Sequence, residues 1–342
     1  MSIEKLAHLV IVLVAIVVAL IFGKSLLIPF VFSLLLWFLI REIRHRVDKV
    51  KVIRERFPSW SKNLVASLFM MVILAFVSKI LLSSINKLAK SYKIYEDNIG
   101  QLVKVLNEKF NINLSQFLKS HAADFDLGAI LGALFNSLSD IFGNAFVIIF
   151  YTLFIFLEEV HFEDKLKKVF PNKVNFERIS ATLDKVEHSI ARYIGLKTVI
   201  SIVTGLLSFG VFYFIGLDAP FFWAFLIFIL NFIPTVGSLA GTIFPTLFCL
   251  LQFGDYLEGI QVLVLVGLIQ VLIGNVVEPR LMGNSLNISS LVAIVALSFW
   301  GVIWGVTGMI LSVPVTVILV ILFAQFEQTK SVAIMLSDKG DV

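Results

Sequence analysis

The residues best suited to chemistry in this chain are amides, charged side chains, prolines and glycines that interrupt its apolar second half. Amides and carboxylates hold small molecules or ions by hydrogen bonds and charge, and a carboxylate shielded from water can also exchange a proton. Glu278 is the best candidate for such exchange, because Asp218 and Asp140 are predicted to lie nearer the outer surface. The candidate residues for contact with a small solute are Asn231, Pro234, Gly237, Gln270, Asn275, Glu278, Pro279, Arg280 and Gly283.

Patterns for covalent catalysis are missing from the sequence. It contains no H-E-x-x-H helix, no G-x-S-x-G turn and no G-x-x-x-x-G-K-[ST] loop for ATP phosphates. The one cysteine, Cys249, lies in an apolar run and cannot form an intrachain disulfide. His161 and His188 are single residues in charged surroundings, where histidine is more often solvated than bound to a metal. We therefore predict a protein that is not an enzyme and that needs neither a cofactor nor a metal.

The composition is that of a membrane protein. Hydrophobic residues make up 58% of the chain and charged residues 15%, against about half and a quarter in soluble domains. Apolar stretches of roughly 17–25 residues recur along the chain, and the short alternating segments of a β-barrel are missing. The predicted fold class is an all-α polytopic membrane protein with about 7–8 membrane segments, including broken or re-entrant helices.

The charge distribution predicts how the chain is threaded through the bilayer. Residues 41–62 carry eight Lys and Arg against three acids, so the positive-inside rule places this segment in the cytoplasm. Residues 83–140 carry equal numbers of each sign and are predicted to be extracytoplasmic. The Lys and Arg residues that give the chain its net charge of +4 cluster beside apolar segments. This position favours a role in setting membrane topology over nucleic-acid binding. Both termini are predicted to be cytoplasmic.

Five regions follow from this pattern. They are an N-terminal transmembrane hairpin with a basic cytoplasmic segment (1–62), two spans flanking an extracytoplasmic helical region at about 83–140 (63–157), a cytoplasmic amphipathic helix (158–197), a core with broken helices (198–326) and a cytoplasmic tail (327–342).

Two helical patterns predict close packing. Apolar residues at 85–106 repeat at heptad spacing, which indicates either a partner helix in the same subunit or a contact between subunits in a homo-oligomer. Small and polar residues recur at steps of four on a helix predicted from about 126 to 157. Such a stripe favours tight helix packing, with a solute-facing path as the alternative. Its members are Gly128, Gly132, Asn136, Asp140 and Asn144.

Three interruptions break the apolar runs of the predicted core. The run at 220–251 would be roughly 48 Å long as one helix, so a hairpin turning near Pro234 is favoured over a kinked helix. Residues 274–283 end the next run, and Glu278 and Arg280 are expected there to be paired or hydrated. The run at 288–323 is predicted to turn around Gly301–Gly305, with interfacial tryptophans.

These motifs together resemble the autoinducer-2 exporter family. They are Asn231-Phe-Ile-Pro-Thr-Val-Gly237, Asn275-Val-Val-Glu-Pro-Arg-Leu-Met-Gly283 with Ser285-Leu286-Asn287, and Phe299-Trp-Gly-Val-Ile-Trp-Gly305 through Gly308 and Pro314. The resemblance implies an oligomeric permease of the bacterial inner membrane, linked to export of a small furanone-type signal or, in some branches, to sodium–proton antiport. A channel or scaffold without a substrate cycle stays open as a further alternative.

Overall fold

The computed structural model describes residues 3–47, 143–282 and 287–340, together with single positions between 65 and 98. Regular structure in these residues is helical, which confirms the predicted all-α class. They include six helices long and apolar enough to cross a membrane and two shorter apolar helices, in agreement with the predicted count of about 7–8.

Ten α-helices have their bounds within the described residues. They are α1 (Ile3–Phe22), α2 (Lys24–Val47), α3 (Ala145–Val169), α4 (Lys173–Ile215), α5 (Pro220–Leu230), α6 (Val236–Phe253), α7 (Tyr256–Leu272), α8 (Glu278–Met282), α9 (Ser290–Phe323) and α10 (Glu327–Leu336). A π-helix, Ile273–Val277, joins α7 to α8.

The chain divides into two compact units. Unit 1 comprises Met1–Leu74, Ser137–Gly195 and Asn284–Val342, and unit 2 comprises Ala75–Asn136 and Leu196–Gly283.

In unit 1, helices α2 and α3 pack through hydroxyl and aromatic side chains. Ser33 and Thr152 are fully buried. The Thr152 hydroxyl donates to the carbonyl oxygen of Ile148, one turn earlier, at 2.7 Å. Phe30 and Tyr151 meet edge to face, with ring centroids 6.3 Å apart. A hydroxyl that bonds to its own helix needs no other partner, so it can be buried where two helices approach.

A network of charged residues ties α2 and α3 to the first part of α4 in unit 1. The Arg41 Nε lies 2.8 Å from a carboxylate oxygen of Glu187. Glu159 accepts a hydrogen bond from the Trp37 indole at 2.8 Å and lies 3.4 Å from a guanidinium nitrogen of Arg44. Arg41 also lies 3.5 Å from Glu159. These half-buried charges are therefore paired among themselves.

Two predicted helix boundaries in unit 1 are wrong. The helix expected to end at Leu157 continues to Val169, and exposed pairs such as Glu163 with Lys167 at i,i+4 spacing favour its later turns. The single amphipathic helix expected over 158–197 is instead the end of α3, a short connection and the start of α4. Pro171 lies in that connection, where its missing N–H interrupts a helix.

The predicted amphipathic character of this segment is confirmed in α4 over residues 186–193. Val186, Ile190 and Tyr193 are buried and the intervening charged residues are more exposed. This is the pattern of an amphipathic helix with one covered face.

Helix α9 in unit 1 folds back on itself, as predicted. Gly305 has φ 65° and ψ −146°, which no helix contains. The Trp300 indole donates to the Thr316 hydroxyl at 3.2 Å, whereas 16 residues of straight helix would separate the two by roughly 24 Å. Residues 290–304 and 306–323 are therefore the two arms of a hairpin. Its tryptophans are buried and hydrogen-bonded inside unit 1, with Trp304 donating to the Leu20 carbonyl oxygen at 3.0 Å, so they are packing residues and not an interfacial belt.

Unit 2 contains the other predicted hairpin, formed by α5 and α6. The chain leaves α5 at Asn231, turns through Pro234 and Thr235, and enters α6 at Val236. A Cβ added at Gly237 would overlap the carbonyl oxygen of Leu230, so the two arms touch at their backbones. The hairpin turning near Pro234 is confirmed, and the alternative of one kinked helix is wrong. At 11 residues, α5 is roughly 16 Å long, about half a hydrocarbon core.

The helix break predicted at residues 274–283 is wrong for the part of this segment that the structure describes, which ends at Met282. The backbone stays helical from α7 through the π-helix into α8. Pro279 is the second residue of α8 and follows the π-helix directly. The wider π-helical turn just before it accommodates the proline without ending the helix.

Several predicted features lie outside the described residues. The small-residue stripe is described only at Asn144, which precedes the first residue of α3. Its other members, Gly128, Gly132, Asn136 and Asp140, are not described, nor is most of the heptad seam at 85–106.

Candidate functional site

A row of polar residues runs along the buried face of α4 in unit 2. Lys197, Ser201, Thr204 and Ser208 follow one another at steps of four, three and four, which places them on one side of the helix. All four are buried, and Lys197 is only 5% exposed. The surrounding residues of α4 are apolar, so this row faces protein and not lipid.

The turn of the α5–α6 hairpin meets this row. Asn231 caps the C-terminal end of α5 and is buried. Its side-chain amide donates a hydrogen bond of 3.2 Å to the Ser201 hydroxyl. Helices α4 and α5 also approach closely at Gly205, where an added Cβ would lie 3.2 Å from the Ala224 carbonyl oxygen. The sequence therefore uses a glycine to bring the hairpin against the polar row.

A charge pair closes one end of the row. Lys197 Nζ hydrogen-bonds and ion-pairs with a carboxylate oxygen of Glu278, the first residue of α8. The lysine side chain is 6% exposed and the carboxylate side chain 23%. A charge buried away from water is costly unless it is paired, so each residue provides the opposite charge that the other needs. The prediction that Glu278 is paired or hydrated is confirmed.

Lys197 was missed by sequence reasoning. It is the last charged residue before an apolar run, and in the sequence it resembles an ordinary residue at a membrane boundary. The available signal is its spacing of four from Ser201, which places a cation in line with the buried hydroxyl groups.

Gln270 is one of four described residues of unit 2 with a buried polar side-chain atom that lacks a hydrogen-bond partner, the others being Ser208, Trp223 and Glu258. It continues the buried stripe of α7 formed by Gly259, Val262 and Val266. Its Nε2 atom is buried and has no hydrogen-bond partner among the described residues. Leaving an amide donor unpaired in a protein interior costs roughly 1–3 kcal/mol. An apolar side chain at this position would make the folded protein more stable, so stability does not explain the amide.

The amide of Gln270 lies directly on the backbone of α6. A Cβ built on Gly241 would lie 3.1 Å from Nε2 and 3.2 Å from Cγ1 of Ile227. Any larger residue at Gly241 would therefore push the amide away. The absence of a side chain at Gly241 therefore leaves room for the Gln270 amide of α7 against α5 and α6.

The remaining candidates lie elsewhere. Gly237 is buried at the hairpin and Pro234 is partly covered in its turn, whereas Asn275, Pro279 and Arg280 have exposed side chains in the π-helix and α8. Gly283 lies outside the described residues. Within unit 2, Asn231, Gly237 and Gln270 are thus buried and Glu278 is partly buried, whereas Asn275, Pro279 and Arg280 are exposed.

We use the name polar interior for six of the buried polar residues of unit 2 together with the partly buried Glu278. They are Lys197, Ser201, Thr204, Ser208, Asn231, Gln270 and Glu278. In the described part of the chain no group of three or more His, Cys, Asp or Glu could hold a metal ion. The polar interior offers hydrogen-bond donors and acceptors together with one cation and one anion that neutralise each other. These groups can hold a polar molecule by hydrogen bonds.

The comparisons with known proteins agree with this chemistry. The sequence model described as "AI-2E family transporter" matches residues 9–328. The "AI-2 transport protein TqsA" of Escherichia coli strain K12 is 30% identical over 322 residues, covering 93% of this chain and 91% of that protein. A "Putative transport protein" of Borreliella burgdorferi is 32% identical over 257 residues, covering 74% and 70%. One from Haemophilus influenzae is 27% identical over 328 residues, covering 93% and 92%.

Proposed function

The chain belongs to the AI-2E family of transporters, and from this premise we propose that it exports a small neutral solute such as autoinducer-2 across the bacterial inner membrane. That it is a multi-pass membrane transporter and not an enzyme follows from the family. The relative named for AI-2 transport supports the choice of solute. The sequence has no ATP-binding loop, so a solute or ion gradient would drive the movement.

The polar interior is the observation that carries this proposal. Membrane helices bury polar side chains at a cost, and such residues commonly mark a solute or ion path. Short, broken helices such as α5 and α6 are a common way to bring polar backbone and side chains to membrane depth. The polar interior lies almost entirely within the predicted core at 198–326. We place the solute path there.

Flux through purified protein in liposomes tests the proposal. Labelled autoinducer-2 should cross the membrane faster than in protein-free liposomes, without ATP. A panel with a pentose, an amino acid and sodium ions, run with and without sodium and proton gradients, identifies the solute class and its coupling. Rates equal to those of empty liposomes for the whole panel would contradict the transport proposal.

Sodium–proton antiport is the second candidate, and the Lys197–Glu278 pair favours it. A partly buried carboxylate beside a buried ammonium group is a place where a proton or cation can exchange. If coupling uses this pair, Glu278→Gln is expected to abolish the response of flux to an imposed pH gradient. Flux driven by the solute gradient alone would continue.

An exposed carboxylate provides the control for that experiment. Glu163 has a side chain that is 71% exposed in α3, so Glu163→Gln should keep the wild-type response to pH gradients. A wild-type response in Glu278→Gln as well would remove Glu278 from the coupling mechanism.

Orientation and assembly complete the proposal. The cationic excess at 41–62 supports cytoplasmic termini, and the heptad spacing at 85–106 supports a homo-oligomer. An alkaline phosphatase reporter fused after residue 342 should be inactive if the C-terminus is cytoplasmic, and activity would reverse the assignment.

A further inference from the structure

The Gln270 side chain is a hydrogen-bond donor without a partner in the interior of unit 2. Gln270 is 6% exposed, and its neighbours on the same stripe, Val262 and Val266, are fully buried. The stripe therefore faces protein, and the amide does not reach lipid headgroups or bulk water. Its Nε2 atom has no partner among the described residues.

The buried polar side chains of Thr242, Thr246 and Asn231, on α6 and at the hairpin turn, are satisfied within the protein. On α6, the Thr242 hydroxyl donates to the Ser238 carbonyl oxygen at 2.9 Å, and Thr246 donates to the Thr242 carbonyl oxygen at 2.8 Å. Asn231 donates to Ser201 at the hairpin turn. The Gln270 amide differs from them because its donor is free to bind something else.

The sequence also keeps space for this amide. Gly241 on α6 lacks the Cβ that would lie 3.1 Å from Nε2. Such a separation is tighter than ordinary packing allows, so alanine at this position would displace the amide by a few tenths of an ångström. A glycine and a glutamine on facing helices thus hold one N–H donor at a fixed place.

We infer that Gln270 is a specificity-determining residue whose Nε2 donates a hydrogen bond to a hydroxyl or carbonyl oxygen of the transported solute. This inference rests on the proposed function. The donor selects solutes that carry an acceptor oxygen. Because Lys197 and Glu278 neutralise each other, the polar interior provides no spare charge for an ionic solute, which favours a neutral one.

Gln270→Met tests the inference because methionine fills a similar volume and has no N–H. The concentration of labelled autoinducer-2 that gives half-maximal flux should rise about five- to tenfold, as expected for the loss of one hydrogen bond. The apparent melting temperature of the purified variant should also rise by a few degrees, because a buried unpaired donor has been removed. A residue with only a structural role would show the opposite change in stability.

Gln261 provides a matched control on the same helix. It lies in α7 with an exposed side chain, so Gln261→Met should leave the half-maximal concentration unchanged. Two results overturn the inference alone: wild-type concentration dependence in Gln270→Met, or a lower melting temperature, which would show that the amide has a partner in the native protein. A wild-type protein that moves no solute of the panel overturns the proposed function and this inference with it.

Discussion

Replacing Gly237 by alanine is expected to open the α5–α6 hairpin and to lower the free energy of unfolding by more than about 3 kcal/mol. The added Cβ would overlap the carbonyl oxygen of Leu230. That oxygen belongs to the backbone, so no side-chain rotation can relieve the overlap. The arms would separate and carry Asn231 away from Ser201. The apparent melting temperature in detergent and the monodisperse fraction after extraction measure the loss.

A glycine in open surroundings gives the control for this substitution. Gly210 lies in α4, and nothing surrounds the position of its added Cβ within 4 Å. Gly210→Ala should therefore leave stability unchanged or raise it by up to about 1 kcal/mol, since alanine favours the helix. If Gly237→Ala were as stable as Gly210→Ala, the close approach of the two arms would be wrong.

The two hairpins could be predicted because their signals are local. Each lies in an apolar run too long for one span, and each run is interrupted by glycine or proline that cannot continue a helix comfortably. The turn at Gly305 needs a positive φ, which glycine adopts without strain. Residue type and run length were sufficient for the existence and position of these turns.

Sequence patterns wrongly predicted the end of a helix at two places where neighbouring residues stabilise a continuous helix. Gly274 and Pro279 suggested a break in the helix. The π-helical turn at Ile273–Val277 instead accommodates the proline, and the chain stays helical. Glu158 and Glu159 suggested a helix end, but Glu158 pairs with Lys165 and Glu159 accepts a hydrogen bond from Trp37. Trp37 lies 122 residues from Glu159 along the chain, so no local window contains both.

The residues of the candidate site also divide into those that sequence patterns identified and those that they did not. Asn231, Gln270 and Glu278 were found because polar residues in apolar runs need a reason. Lys197 was not, because its partner lies 81 residues away along the chain. The contact of Gly241 with the Gln270 amide was equally out of reach, since it depends on how α6 packs against α7. Sequence identifies polar residues that require partners, and only the packed helices show which ones have them.

Replacing Lys197 by methionine is expected to cost stability because Glu278 would keep its charge without a partner. Removing one member of a buried ion pair costs roughly 3–5 kcal/mol. Since the Glu278 side chain is 23% exposed and partly hydrated, we expect the lower end of that range. The apparent melting temperature of the purified variant in detergent measures the loss.

The double variant Lys197→Met, Glu278→Met distinguishes the stability contributed by the charge pair from the cost of leaving one charge without its partner. Replacing both charges by apolar side chains of similar size is often neutral or stabilising, so the double variant should recover most of the stability lost by Lys197→Met. Lys165→Met is the matched control, because its pair with Glu158 is exposed on both sides and should leave the melting temperature unchanged. A double variant no more stable than Lys197→Met would show that the two residues do not form a buried pair in the membrane protein.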